Sequence, residues 1–208
     1  FDQEFKKANA AETVAREQVN TLALIRVITF FLLIGSIWAW NKTMQSYLGI
    51  VFLVLLVIFF ILMKRQQKAK RIRNFQKNLQ TINEDEIERL SFQFKRSETS
   101  VQYQEKNHNY ASDLDIFGEF SLFRLLNRTR TSEGEKRLSY WLKNHADLDD
   151  ILMRQEAAEE LKSQPEWSQT WQATALLHEH AAQQVGAFQV WASETLPEDL
   201  TKALKWRY

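Results

Sequence analysis

Hydrophobic residues in this chain fall into two long runs near the start and then recur at helical spacing towards the end. The first run, residues 21–40, reads TLALIRVITFFLLIGSIWAW. At ~1.5 Å per residue, about twenty residues make a helix of ~30 Å, the thickness of a bilayer core. The second run, residues 48–63, reads LGIVFLVLLVIFFILM, with Tyr47 and the stem of Lys64 placed to extend it at the two interfaces. Neither run has the polar face of a globular surface helix. A short polar link, residues 41–46, joins them, so the pattern predicts a transmembrane helical hairpin.

The flanks orient it. Lys64, Arg65, Lys68, Lys70, Arg71, Arg73 and Lys77 crowd the exit of the second run, Lys6, Lys7 and Arg16 precede the first, and the link carries only Lys42. That asymmetry predicts an inner or cytoplasmic membrane with both ends of the chain in the cytoplasm. Arg26, the single charge inside the first run, is expected to snorkel to the headgroups, and Trp38 and Trp40 mark the opposite interface. Residues 1–20 are polar and helix-prone and lack the plan of a secretory signal.

Beyond the basic stretch the charge changes sign at Glu84, Asp85, Glu86 and Glu88, and Asn83 before them is an N-cap candidate. Phe92 and Phe94 alternate with polar residues as in a short strand or extended lead-in, and residues 95–109 read as a linker. Ser121 can cap a short helix carrying Leu122, Phe123, Leu125 and Leu126. Ser132 and Glu135 have capping-box spacing ahead of Leu138, Trp141 and Leu142. Residues 147–163 predict a helix with Ile151, Leu152, Ala158 and Leu161 inward. Pro165 introduces a long helix from Glu166 to about Trp191, with Trp167, Trp171, Leu176, Leu177 and Phe188, and Pro197 a last one with Leu200, Leu204 and Trp206. The fold class is all-α.

Composition refines this picture only modestly. At 208 residues and a formal net charge of +1 the chain can bury a core, and the near-neutral total hides the segregation just described. Cysteine is absent, which excludes disulfides, thiolate metal sites and a cysteine nucleophile. A start at Phe1 and an end at Trp206-Arg207-Tyr208 read as part of something longer.

One ordered series of residues carries a family resemblance. Asp113-Leu114-Asp115-Ile116-Phe117, Ser121-Leu122-Phe123, Asn127-Arg128-Thr129, Thr131, Gly134, Leu138, Trp141-Leu142 and Arg154-Gln155 follow one another across residues 110–161, about a quarter of the chain. The series resembles the start of the core, lever-side domain of MutS-family proteins: a leucine-rich helix, an Arg-Thr turn ending in glycine, a helix with L-x-x-W-L and then an Arg-Gln helix. It looks closest to membrane-anchored MutS-like proteins, in which a transmembrane hairpin stands where the mismatch-reading domain would be. Their entry tends to read H-P-Y-A, from which Asn109 departs.

The resemblance implies a division into four parts: a polar helix at 1–20, a transmembrane hairpin at 21–63, a basic juxtamembrane helix and linker at 64–109, and an incomplete helical MutS core at 110–208. It also implies DNA binding coupled to ATP hydrolysis in a full-length protein filed under mismatch repair. The ATPase domain, with its ATP, Mg²⁺ and homodimer interface, would lie beyond Tyr208. No G-x-x-x-x-G-K-S/T occurs in the chain, so it has no phosphate-cradling loop of that kind, and the sequence offers no catalytic or metal residues. The alternative is a membrane-tethered helical interaction or signalling module without nucleotide chemistry.

Other constellations read more plainly. His178-Glu179-His180 places two imidazoles about 200° apart on a helix, which suits surface histidines better than a metal. Asp113 and Asp115 suit a turn or N-cap better than acid–base work. Phe117-Gly118-Glu119 mimics the aromatic wedge of mismatch readers, but its place downstream of the membrane runs points to core packing by Phe117. Arg128 and Arg130 are read as turn-capping or locally paired before they are read as phosphate ligands. The basic stretch is first a topology signal, with membrane lipid or nucleic acid as its possible contacts.

Overall fold

A computed structural model of the chain describes residues 1–43, 45–93, 100–105, 108–178 and 193. Every regular element among them is helical: α1 (Asp2–Thr43), α2 (Ser46–Leu90), a 3₁₀ turn (Val101–Tyr103), α3 (Leu122–Leu126), α4 (Ser132–Lys143), α5 (Leu148–Lys162) and α6 (Pro165–Leu177). Phe92, expected in a strand or extended lead-in, lies instead in a turn at φ 55° just past α2, and Phe94 falls outside the described residues.

The two hydrophobic runs are parts of much longer helices. α1 has 42 residues and α2 has 45, so each extends ~63–68 Å, about twice a bilayer core. Both contain a helix long and apolar enough to cross a membrane. No proline interrupts either one. They pack antiparallel, with Trp40 against Gly49 at the link end and the rings of Phe30 and Phe59 6.4 Å apart midway.

What keeps them together is a seam with a seven-residue repeat. On α1 the covered positions alternate three and four apart, from Ala8 through Ala15, Val19, Leu22, Arg26, Thr29 and Leu33 to Ser36. On α2 the same alternation runs from Leu48 through Phe52, Leu55, Phe59 and Leu62 into Gln66, Ala69, Arg73, Gln76 and Asn83. This is knobs-into-holes spacing, and it does not stop where the apolar runs stop. Small residues at Ala8, Ala15, Thr29 and Ser36 let the backbones approach, and the Thr29 and Ser36 hydroxyls donate to the carbonyls of Ile25 and Leu33 in their own helix.

Asn83 therefore starts no helix. It sits inside α2, donates to the Leu79 carbonyl and exchanges two amide hydrogen bonds with Gln169 of α6. Nearby, Asn78 donates to the carbonyl of Ala173, which is wholly buried between α6 and α2. Pro165 opens α6 as expected, but α6 ends at Leu177 with His178 as its C-cap, not near Trp191. The expected positions from Glu179 through Phe188 and Trp191 to Leu200, Leu204 and Trp206 lie outside the described residues.

A small lobe hangs on the far end of this arm. Its core is Ala111, Ile116, Phe117 and Phe123, with Tyr103, Tyr110, Leu138 and Leu142 packed around it. Phe123 is the centre, with the rings of Phe117 and Tyr103 5.7 and 5.4 Å away. Residues 100–105, part of the expected linker, are thus folded into the lobe: Ser100 is fully buried and its Oγ accepts from Gly118 N at 2.7 Å. Gly118 holds φ 138°, which a side chain would disfavour. His108 ties the entry down as well, its Nδ1 accepting from the amides of Tyr110 and Ala111 while Nε2 bonds the Lys143 carbonyl. Nδ1 as acceptor makes Nε2 the protonated nitrogen.

α5 spans nearly the expected residues but not the expected packing. Ile151, Leu152 and Leu161 are 40–53% exposed and Ala158 is exposed too, because none of the described elements covers that face.

Two outcomes follow. Phe123→Ala should cost the lobe about 3–5 kcal/mol, read as a lower Tm by near-ultraviolet circular dichroism of the detergent-solubilised chain. Burial, aided by Glu135, raises the Tyr103 phenol above its ordinary 10.0. Its contribution to stability is therefore whole below that ordinary value and is lost as pH climbs through the raised one. Alkaline unfolding of the lobe should accordingly shift to higher pH in Tyr103→Phe, followed by circular dichroism at constant salt.

Candidate functional site at the junction of arm and lobe

The residues singled out between 127 and 134 build one compact turn. Asn127 is buried at the C-cap of α3, and its Oδ1 accepts from both the amide and the hydroxyl of Thr129. Such an Asx turn closes the backbone on itself. Thr131 then caps α4, its Oγ1 accepting from Gly134 N at 3.1 Å. The expected capping box at Ser132 and Glu135 is therefore displaced by one residue: Ser132 is the first residue of α4, and the Glu135 carboxylate accepts from the Tyr103 hydroxyl instead. Gly134 is crowded by the turn. A methyl group there would stand 3.0 Å from Thr129 Cβ and 3.1 Å from Thr131 Oγ1. The Ser121 cap of α3 is where it was expected, accepting from Arg124 N.

This turn meets the end of α2 through charge. Arg128 reaches Glu86 at 2.7 Å, and Arg130 reaches Asp85 at 3.3 Å and Gln172 of α6 at 3.5 Å. The Arg130 side chain is 7% exposed and that of Asp85 15%, so this pair is largely withdrawn from water. Arg89 completes the group. It lies 3.8 Å from Glu86 and donates to the Arg124 and Leu125 carbonyls at the C-terminal end of α3, where a cation is favoured. Burial lowers its pKa from the ordinary arginine value, and the neighbouring Glu86 opposes that shift. Arg128 and Arg130 are thus paired, not locally as expected but with partners more than forty residues away, although Arg128 also meets the nearby Leu125 and Leu126 carbonyls.

The remaining motif residues are dispersed. Ile116 and Phe117 enter the core, which keeps Phe117 from acting as a wedge in this arrangement. Asp113, Leu114 and Asp115 occupy an exposed turn, with Asp115 at φ 47°, and neither aspartate is the N-cap of a described helix. Leu142 packs on the core. Trp141, expected on that same face, is 43% exposed and carries the Arg154 guanidinium 4.4 Å from its ring centre, while Gln155 is exposed. Among the basic residues Lys64, Arg65, Lys68, Lys70, Arg71 and Lys77 are exposed along α2, whereas Arg73 is half-buried on the seam.

No group of His, Cys, Asp and Glu among the described residues could hold a metal ion. The signal that would have found the junction is the arm's seven-residue repeat, because it carries α2 unbroken past Asn83 and so delivers Asp85 and Glu86 to the turn. The end of α2, the turn and α6 are thus joined by ion pairs and side-chain amide hydrogen bonds.

Arg130→Ala should destabilise the junction by about 3–5 kcal/mol, because it strands the Asp85 carboxylate. A double-mutant cycle with Asp85→Ala should return a coupling energy of about 0.5–3 kcal/mol, whereas two independent, additive losses would contradict the pairing. No protein family, no curated protein and no solved structure matches this chain.

Proposed function

We propose that this chain is the anchoring and lever portion of a membrane-bound MutS-like protein, whose DNA binding is coupled to ATP hydrolysis by a domain outside residues 1–208. In this reading α1 and α2 cross the membrane as a hairpin with both chain ends in the cytoplasm. The part of the hairpin beyond the bilayer is an arm, and the lobe from Ser100 onward is the start of the core domain. ATP and Mg²⁺ belong to the outside domain, which also supplies the homodimer contact. DNA is met through the assembled protein, in the manner classed as mismatch repair, although selective reading of mispairs is not part of the proposal.

The observation that carries this reading is the junction. The motif residues Asn127, Arg128, Thr129, Thr131 and Gly134 form a single turn whose arginines grip the arm at Asp85 and Glu86. A lever needs such a grip, because force on the lobe must reach the anchor without an intervening soft linker. A second reading, a tethered helical interaction module without nucleotide chemistry, draws on the exposed apolar residues of α5 and on the stacked Trp167 and Trp171 rings of α6.

The test is to express the whole reading frame in nanodiscs and measure Mg²⁺-ATP binding and duplex DNA binding. The expected result is nucleotide bound outside residues 1–208, with salt-sensitive DNA binding and no preference for a mispaired duplex. Failure to bind nucleotide would overturn the proposal in favour of the interaction module.

A further inference from the structure

The antiparallel register aligns the charges of the two helices. Trp40 meets Gly49 and Phe30 meets Phe59, so each residue further towards the N-terminus of α1 is level with one further along α2. Arg26 is four residues before Phe30, and Met63 four after Phe59. Arg26 therefore stands where the second apolar run ends, beside Lys64 and Arg65. That is the edge of the span, where the snorkelling expected of it reaches the headgroups.

Around that level the charge is uncompensated. Arg26, Lys64, Arg65 and Lys68 have no ion pair among the described residues. The nearest carboxylates in sequence are Glu17 on α1 and Glu84 on α2. Along their own helices they lie nine and sixteen residues away, ~13 Å from Arg26 and ~24 Å from Lys68, and in the register of the pair Glu17 is level with Ile72, ~6 Å beyond Lys68 without pairing to it. Next to these cations begins a surface of exposed apolar side chains that includes Phe60 and Ile61. A positive ring adjoining an apolar band matches the head and tail of an anionic lipid.

We propose that Arg26, Lys64, Arg65 and Lys68 form a two-helix collar that selects anionic lipid headgroups. This rests on the reading of α1 and α2 as membrane-spanning. It also divides the basic stretch. Electrostatic attraction to a membrane surface fades over ~8 Å at physiological salt, or about five residues of an upright helix. Lys68 lies at that limit. Lys77 is thirteen residues from Lys64, ~20 Å away, and has no part in the collar.

The experiment uses the full chain in nanodiscs of phosphatidylcholine containing about a third phosphatidylglycerol, and counts by native mass spectrometry the lipid retained on release. The unaltered chain should retain phosphatidylglycerol in preference to phosphatidylcholine. Lys64→Gln, Arg65→Gln and Lys68→Gln together should remove most of that preference, at about five-fold per cation, and Arg26→Gln should lower it further. The equally charged control, Lys6→Gln, Lys7→Gln and Lys77→Gln together, should leave it unchanged, with helix content checked by circular dichroism throughout. Equal losses in both triple variants would overturn the collar as a local site. Duplex DNA binding in pure phosphatidylcholine discs that disappears with the collar cations would assign them to nucleic acid instead. If the chain fails to enter discs at all, the membrane-spanning reading falls with the collar. A chain that inserts but shows no lipid preference removes only the collar.

Discussion

Everything in this structure hangs on the seam between α1 and α2. Helices long and apolar enough to cross lipid must satisfy their own backbones, and these two do so over the length described. What distinguishes the pair is that the three-and-four spacing of covered residues persists after the apolar side chains end. Phe52, Phe59 and Leu33 fill the seam in one half, and Ala69, Gln66, Ala15 and Ala8 in the other. Geometry is constant while chemistry changes. Because α2 has no break at Lys64, Asp85 and Glu86 are held about 30 Å beyond the end of the apolar run.

The lobe is placed by those two carboxylates. Desolvated ion pairs are poor sources of net stability, since withdrawing charge from water costs nearly what pairing returns. Their value is selectivity. Arg130, 7% exposed at its side chain, finds a carboxylate in one docking position and would be stranded in any other. Arg89 and Arg128 add to this by holding the carbonyls at the end of α3. The amide exchange between Asn83 and Gln169 fixes α6 to the same segment of the arm. Lobe, turn and α6 are thereby registered on a single stretch of α2 from Asn78 to Arg89.

That registration concentrates the polar contacts of the lobe on one end of α2. The aromatic core around Phe123 is small, and α5 leaves Ile151, Leu152 and Leu161 largely uncovered. The ion pairs and side-chain hydrogen bonds gather where the lobe joins the arm, and apolar surface is left at its outer side.

The sequence by itself determined the elements whose cause is local. The two apolar runs, the Ser121 cap, Pro165 at the start of α6 and the all-helical class follow from hydropathy, side-chain oxygens and a fixed proline φ. It also marked the turn at Asn127, with Arg128 and Arg130 expected to pair locally. Only the tertiary structure decided what those arginines pair with, since Asp85 and Glu86 are more than forty residues distant. The same holds for Asn83, whose side chain pairs with a partner 86 residues away, while Ser132 gives way as cap of α4 to its neighbour Thr131. Trp141 and the apolar residues of α5 have helical spacing that promises burial, yet burial needs a covering surface, and spacing along one helix says nothing about whether another arrives.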